Sequence, residues 1–428
     1  MNYEAAMAYI QNTAKFGSNL GLDRTLKILE LLGNPQDKIK CIHVAGTNGK
    51  GSTTAMITRI LREAGYKAGM YTSPFLEEFE ERIQVDGENI GKDDLARTVT
   101  EVSKVVEKVI SLGFDHPTEF EIITCAMFKH FCEAEVDYAV IEVGLGGRLD
   151  STNVITPVLS VITSISLDHT GVLGDTLREI AGEKAGIIKR GVPVVSYPQE
   201  KEAEKVIADA CSSLGCELIS VEPGSGEFLE TTKHAQRIRV KTLSGVYEPE
   251  LSLLGKHQIM NCAVAISAAE KLQDLGLCIS RDNILSALGK VKWIGRLEVL
   301  REKPLVVIDG AHNIEGITLL TESLETYFKY ERLILIIGIL RDKQVEAMIE
   351  TIAPQAHRVI AVTPNSGRAE SAAELNEVIV KYNSSSEACD DYAEAYEKAL
   401  GYAGEDDMVL VCGSLYMIGD MRKVIRRY

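Results

Sequence analysis

The chain has 428 residues, a formal net charge of −16, 45% apolar residues and 25% charged residues. The length predicts two or three domains rather than one, with two favoured, the composition is that of a soluble globular protein, and the acidic balance argues against a nucleic-acid partner. No apolar run approaches the roughly 20 residues that span a bilayer, Met1-Asn2-Tyr3-Glu4 shows no secretory pattern, and nine scattered cysteines without a C-x-x-C pair fit a reducing cytoplasmic compartment.

Residues 3–33 read as helix, loop, helix; the second helix runs from about Leu22 to Leu32 and stops at Gly33-Asn34-Pro35. An apolar run then ends at Ala45, and Gly46-Thr47-Asn48-Gly49-Lys50-Gly51 turns into a stretch of helical periodicity, Thr54 to Ala64. Lys67–Thr72 reads as a second strand, followed by Ser73-Pro74-Phe75 and a charged run, Glu77 to Arg82, expected to be a solvated face. Asp93–Leu112 reads as a helix capped at Asp93 or Asp94, and Thr118–Phe131 as a more apolar one. Tyr138–Val143 and Val158–Ile165 are expected buried strands; Thr176–Ile188 is a helix, Val192–Tyr197 a strand and Glu200–Leu214 a helix.

The pattern then changes. Gln236–Thr242 and Val246–Leu251 read as antiparallel strands turning at Ser244-Gly245, an annex to the first domain. Helices follow from about His257 to Leu275 and on to Leu288. After Trp293-Ile294-Gly295-Arg296 the alternation restarts, with apolar runs at Leu305–Ile308, Leu333–Ile337, Val359–Val362 and Met408–Val411. The expected architecture is α/β throughout. Residues 1–295 form a P-loop ATPase-type doubly wound sheet with an antiparallel annex, and residues 296–428 a smaller Rossmann-like domain.

The strand–loop–helix at 39–64 has the makings of a phosphate site. Gly46, Gly49 and Gly51 lack a Cβ, so their N–H groups can approach phosphate oxygens. The helix N-terminus adds partial positive charge. Lys50 can reach the β- and γ-phosphates, and Ser52 or Thr53 can offer a hydroxyl to Mg²⁺. The spacing departs from G-x-x-x-x-G-K-[ST], because Gly51 separates Lys50 from Ser52, so a plain glycine-rich turn is the competing reading. Ligands of open α/β sheets lie beyond the carboxyl ends of the strands, which collects Gly46–Ser52, Ser73, Glu142 and His169, and in the second domain Asp309 and His312. Glu142, within an apolar strand, is either a Mg²⁺ ligand or half of a buried ion pair with Arg148. His169 is either a ligand or an ordinary loop histidine. Lys184, on an amphipathic helix, reads as a surface lysine.

Several segments together resemble one family. His43-Val44-Ala45-Gly46-Thr47-Asn48-Gly49-Lys50-Gly51-Ser52 is similar to the nucleotide loop of the folylpolyglutamate synthase and dihydrofolate synthase family of ATP-dependent Mur ligases. Leu32 to Gln36, Thr72-Ser73-Pro74-Phe75, Glu142 to Asn153, Leu167-Asp168-His169 and Glu183 to Lys189 extend the likeness. So do His257 to Asn261, Gly295-Arg296-Leu297-Glu298 and Asp309 to Asn313, although Trp293-Ile294 replaces the more usual Pro-Gly.

The resemblance implies an ATP-dependent ligase that adds L-glutamate to folates, with dihydropteroate as an additional acceptor, through an acyl phosphate. It implies ATP contacts at Thr47, Asn48, Gly49, Lys50, Gly51, Ser52, Asn261, Arg296, Asp309 and His312, two Mg²⁺ sites drawn from Ser52, Ser73, Glu142 and His169, and a Lys184 carbamylated by CO₂ as an anionic ligand. It places the acceptor at Arg82, Thr118, Glu119, Phe120, Glu121, Leu149, Asp150 and Ser151, and glutamate near Ser414. Lys50, Lys184 and His312 would be the catalytic residues. A cytoplasmic monomer with no nucleic-acid or membrane partner is expected. The rival readings are another Mur-type amino-acid ligase, such as a cell-wall enzyme, a P-loop kinase whose phosphorylated acceptor is its product, and a nucleotide switch without ligase chemistry.

Overall fold

The structure is a computed structural model and describes residues 1–17, 21–232 and 235–428. The chain divides into two compact units: Met1–Glu227 with Ile238–Glu250 and Met260–Val291, and Phe228–Arg237 with Leu251–Ile259 and Lys292–Tyr428.

The first unit is built on eight strands: β1 (Lys40–Ala45), β2 (Ala68–Tyr71), β3 (Ile83–Val85), β4 (Glu88–Asn89), β5 (Tyr138–Glu142), β6 (Leu159–Ile162), β7 (Val194–Ser196) and β8 (Leu218–Ser220). Their order across the sheet is β4-β3-β2-β5-β1-β6-β7-β8. β1 pairs in parallel with β5 on one side and β6 on the other, so five of its six residues are buried. That two-sided cover is why Cys41 to Ala45 reads as an unbroken apolar run apart from His43. β3 and β4 add an antiparallel edge. The chain leaves β1 toward β2 on one side and leaves its neighbour β6 toward β7 on the other, which makes the carboxyl ends of β1 and β6 a topological switch point where ligands bind in such sheets.

A small antiparallel sheet follows: β9 (Gly226–Thr231), β10 (Gln236–Lys241), β11 (Val246–Tyr247) and β12 (Glu250–Leu251), with β10 pairing to the other three. The expected single strand Val246–Leu251 is thus two short ones, and the division between the two units runs through this segment. The second unit carries β13 (Glu298–Glu302), β14 (Leu305–Ile308), β15 (Leu333–Ile337), β16 (Arg358–Ala361), β17 (Ser386–Ala388) and β18 (Met408–Cys412). The order is β13-β14-β18-β15-β16-β17, parallel apart from the hairpin β13–β14. The two-domain α/β reading holds, with mixed sheets that are mainly parallel.

Local departures have local causes. The helix expected from Asp93 begins at Lys92 with Gly91 as its cap residue, and Asp93 and Asp94 occupy its first turn, where carboxylates favour the positive end of the helix. The run Glu77–Arg82 is not a solvated face. Phe79 and Glu80 are buried, and the Glu81 carboxylate gathers the backbone N–H groups of Leu76 (2.7 Å), Glu77 (3.0 Å) and Glu78 (2.9 Å). One acid thereby organises a turn that charge alone makes look unstructured. Among the described residues no helix is long and apolar enough to cross a membrane.

Candidate active site

β1 delivers its chain into a loop that only glycine can make. Gly46 has φ +153° and Gly49 φ +83°, a region costly for residues with a Cβ. A Cβ on Gly46 would overlap the Thr163 hydroxyl, and one on Gly49 the Asn261 amide. The loop is also tied down. Thr47 N–H donates to Ser164 O (2.7 Å), Thr47 Oγ1 donates to Ser166 O (3.1 Å), and Ser166 N–H donates back to Thr47 Oγ1 (3.1 Å). Gly49 caps the helix Lys50–Glu63, which leaves that helix's first N–H groups at the loop. Ser52 is 2% exposed in the first turn. Lys50 folds back, its Nζ donating to Thr47 O at 3.1 Å. The loop's seat on Thr163, Ser164 and Ser166 was not anticipated, although their place just past β6 is the signal that would have found them.

Lys184 reverses its sequence expectation. It lies on the helix Leu177–Ala185 but is buried, and its Nζ donates to Gly46 O at 2.7 Å. Desolvation, with the Lys50 charge as the second cause, pulls its pKa down to about 7. Carbamylation by CO₂ requires the neutral amine, and at a pKa of about 7 about half of the Lys184 amine is in that form at pH 7. Glu142 ends β5 at 5% exposure, and one of its oxygens accepts the Ser73 N–H at 3.2 Å. The rival ion pair with Arg148 is not formed: Arg148 reaches Glu183 at 2.8 Å instead. His169 has φ +52° at the start of the short turn Thr170–Leu173 and an exposed ring, with Nε2 3.9 Å from Asp168 Oδ2. Asn261, from the helix Lys256–Asp274, comes to the loop beside Gly49.

The residues assigned to the acceptor face divide into two kinds. Arg82 is aimed and held: its guanidinium lies over Phe75 (5.4 Å) and Phe79 (4.9 Å), 3.5 Å from Glu119, with a buried Nε that makes no hydrogen bond. Phe120 packs over Gly144, where a Cβ would overlap its ring. Leu149 is half-buried, and Ser151 is buried. Thr118 and Glu121, by contrast, cap their own helix reciprocally, and Glu121 also binds Arg24 Nε at 2.9 Å. Asp150 is engaged within its own loop, accepting from Leu145 N (2.8 Å) and Thr152 N (3.0 Å). The side chains of these three are engaged within the fold.

In the second unit, Asp309 at the end of β14 accepts from Leu297 N (2.9 Å) and Ala311 N (2.8 Å), which fixes the turn that carries Arg296 and His312. Gly310 leaves room for the Arg296 guanidinium, which a Cβ there would displace. His312 Nδ1 lies 2.8 Å from Gly310 O; a carbonyl only accepts, so Nδ1 carries the proton and Nε2 is the acceptor of the neutral ring. Ser414, at the head of the helix Leu415–Ile425, is 1% exposed, and its hydroxyl makes no hydrogen bond.

Comparison with known proteins gives consistent matches. The Mur ligase middle domain family matches residues 44–269, and the Mur ligase, glutamate ligase domain family matches residues 295–415. The chain is 40% identical over 429 residues to a dihydrofolate synthase/folylpolyglutamate synthase of Bacillus subtilis (strain 168), covering 99% of each. It is 36% identical over 430 residues to a folylpolyglutamate synthase of Lacticaseibacillus casei, again covering 99% of each. Among solved structures, the Mycobacterium tuberculosis folylpolyglutamate synthase complexed with ADP and AMPPCP superposes with a TM-score of 0.92 at 29% identity, covering 100% of both chains. The Escherichia coli FolC in complex with DHPP and ADP gives 0.88 at 30% identity, covering 100% of this chain and 99% of the other.

Proposed function

The chain belongs to the folylpolyglutamate synthase and dihydrofolate synthase family of Mur ligases, and from that premise we propose how its residues divide the work. It is an ATP-dependent ligase that joins L-glutamate to a folate. The wider acceptor range proposed here includes dihydropteroate, a reading supported by the Bacillus subtilis relative, whose name covers both reactions.

A carboxylate does not condense with an amine in neutral water, because its oxygen is too poor a leaving group. Transfer of the ATP γ-phosphoryl group to a carboxylate oxygen gives an acyl phosphate and ADP. The glutamate amine then attacks the acyl carbon, phosphate leaves, and the new nitrogen gives up a proton. Lys50, the loop N–H groups and the helix N-terminus would meet charge on the transferring phosphoryl group, a reading supported by the start of the helix at Lys50 just after the glycine loop. Thr47, Asn48 and Gly51 shape that cradle, with Asn261 beside it. Arg296, Asp309 and His312 contribute to nucleotide binding, and His312 Nε2 is the group we assign to the amine proton. Ser414, with an unengaged hydroxyl, is assigned to glutamate.

The donor set fits Mg²⁺ in chemistry, since hydroxyls and a carboxylate are the hard oxygens it prefers. Ser52, Ser73, Glu142 and His169 would hold it, and when bound it would neutralise phosphate charge. Among the described residues no three His, Cys, Asp or Glu side chains group closely enough to hold a metal. That shortage of acidic oxygens is what a carbamate on Lys184 would fill. The observation that carries the reading is this lysine: buried, hydrogen-bonded to a loop carbonyl and about half neutral at pH 7.

The deciding experiment is phosphate release with ATP, Mg²⁺ and glutamate, comparing tetrahydrofolate, dihydropteroate and muramyl-peptide acceptors. Glutamate-dependent release with the first two is expected. Release with the muramyl acceptor alone, or an accumulating phosphorylated acceptor, would overturn the assignment.

A further inference from the structure

His43 is the one charged or imidazole side chain in the buried run Cys41–Ala45 of β1, and the mechanism above does not use it. It is fully buried, and its Nε2 lies 2.9 Å from Thr152 Oγ1. Thr152 Oγ1 in turn lies 2.5 Å from Asp150 Oδ1, and Asp150 also accepts the backbone N–H groups of Thr152 (3.0 Å) and Leu145 (2.8 Å). Each contact runs through atoms whose protons can be assigned. A threonine hydroxyl has one proton. The short contact to a carboxylate already receiving two backbone donors takes it. Thr152 Oγ1 must then accept from His43, so the imidazole carries its proton on Nε2. His43 Nδ1 is left as a bare lone pair, and that atom is buried without a hydrogen-bond partner. The opposite arrangement, with a protonated Asp150 and Thr152 donating to His43, would bury an Nδ1–H without an acceptor, and orphaned buried donors are rare.

The surroundings favour the same state. Desolvation first, and then the charge of Lys189, whose Nζ donates to Asn153 O at 3.2 Å, hold His43 down to about 3. Burial pushes the Asp150 carboxyl upward, while its hydrogen-bond donors, Thr152 first, oppose that. A neutral histidine donor thus stands behind a carboxylate that needs donors to stay ionised in an apolar setting.

We propose that His43 is a positioning residue for the acceptor substrate, acting through Thr152 and Asp150 to hold the loop Gly144–Ser151 in its binding shape. The proposal rests on the assignment of Leu149–Ser151 to the acceptor face. It explains why a strand covered on both sides keeps an imidazole where an aliphatic residue would bury more cheaply.

The test combines kinetics with spectroscopy on the full chain. His43→Leu and Thr152→Val should each raise the folate KM by about five- to tenfold, the effect of one net hydrogen bond. The ATP KM and kcat should stay within about twofold, and the double variant should be no worse than either single one. His43→Gln, which keeps a donor amide, and Thr152→Ser, which keeps the hydroxyl, should restore the folate KM. In the unsubstituted protein, ¹⁵N-imidazole spectra should show His43 as the Nε2–H tautomer without titration between about pH 5 and 9. A Nδ1–H tautomer, or equal loss of ATP and folate affinity in His43→Leu without recovery in His43→Gln, overturns the proposal. Leu149→Ala and Asp150→Asn report on the loop itself. If both leave the folate KM unchanged, the acceptor assignment fails and the proposal with it. If they raise it while His43→Leu and Thr152→Val do not, the assignment stands and the relay is overturned.

Discussion

Lys184 in the first unit and Arg422 in the second are both buried cations, at 3% and 4% exposure, and they are kept in opposite ways. Arg422 faces Glu298, with Nε 3.0 Å from both carboxylate oxygens and Nη2 at 2.6 Å from one of them. Its charge is matched by a fork-to-fork pair, the geometry that makes an interior cation tolerable. Lys184 has a backbone carbonyl as its hydrogen-bond partner and another cation, Lys50, as an electrostatic neighbour. Its surroundings lower the charge rather than match it. Burial alone therefore does not say whether a cation is held in its charged form, and the partner tells the two cases apart.

The largest effect belongs to the loop that Lys184 faces. Lys50→Ala should lower turnover by at least about 10³-fold, because its charge meets charge that grows during phosphoryl transfer. Thermal melting should be unchanged, since Lys50 contributes one hydrogen bond to its own loop. Near-normal turnover at saturating ATP would remove Lys50 from the site.

Next is Lys184 itself. Lys184→Ala should lose about 10²-fold or more in kcat, with partial recovery on adding a short carboxylic acid. In the unsubstituted enzyme, activity should fall when CO₂ and bicarbonate are stripped and return when they are restored. An ordinary lysine with a pKa near 10.4 is neutral at pH 7 in roughly one molecule in a few thousand; at a pKa of about 7, half are neutral. Carbamylation should thus weaken as pH falls below about 7. The stability sign is opposite to that of a paired lysine. Between about pH 7 and 10 the unfolded chain binds the proton and the folded one does not, so stability rises with pH across that window and is flat below it. Lys184→Met should stabilise the CO₂-stripped protein at pH 7, and the gain should vanish toward pH 10. Indifference to bicarbonate would leave the ligase assignment standing and sink the carbamate.

How much of this contrast could be read in the chain alone follows from how local each signal is. The strand–loop–helix at 40–63 was legible because glycine positions and a change of periodicity lie within a few residues. The main strands were legible as apolar runs. β9 and β13 were not, because they are half-exposed strands held by the partner strand beside them. Lys184 looked like a surface lysine because helical periodicity reports which side is apolar, not what packs there; the Gly46 carbonyl that receives it is 138 residues away in sequence. Glu81 and Asp150 were visible as acids, but the backbone N–H groups they gather depend on turns that only the fold defines. His43 was visible inside the nucleotide-loop segment, yet its role depends on Thr152, 109 residues away.

Arg422→Ala turns the same comparison on stability. It leaves Glu298 with its Gly295 N–H bond at 2.9 Å but without its cation, and should cost about 3 kcal/mol in urea unfolding, the penalty of an uncompensated carboxylate in a largely buried pair. Replacing both partners by apolar residues should recover much of that loss, since a buried pair is weak evidence of net stabilisation. A loss in the single variant below about 1 kcal/mol would place this pair with surface pairs.

The smallest effect is expected at Arg148, and it decides how Glu142 is held. Arg148 meets Glu183 at 2.8 Å, but the arginine side chain is 57% exposed. Exposed pairs contribute between nothing and about 1 kcal/mol, because water screens the charges and both side chains lose rotamer freedom. Arg148→Ala should therefore change unfolding stability by less than about 1 kcal/mol, and the loss should shrink further in high salt. If Glu142 instead depended on Arg148 for its charge, the same substitution would strand a carboxylate that is 5% exposed. The cost would then approach that of Arg422→Ala and would persist in salt, because a buried charge is poorly screened. A small, salt-sensitive loss keeps Glu142 as a metal-ligand candidate; a large, salt-insensitive one returns it to the role of a structural ion-pair partner.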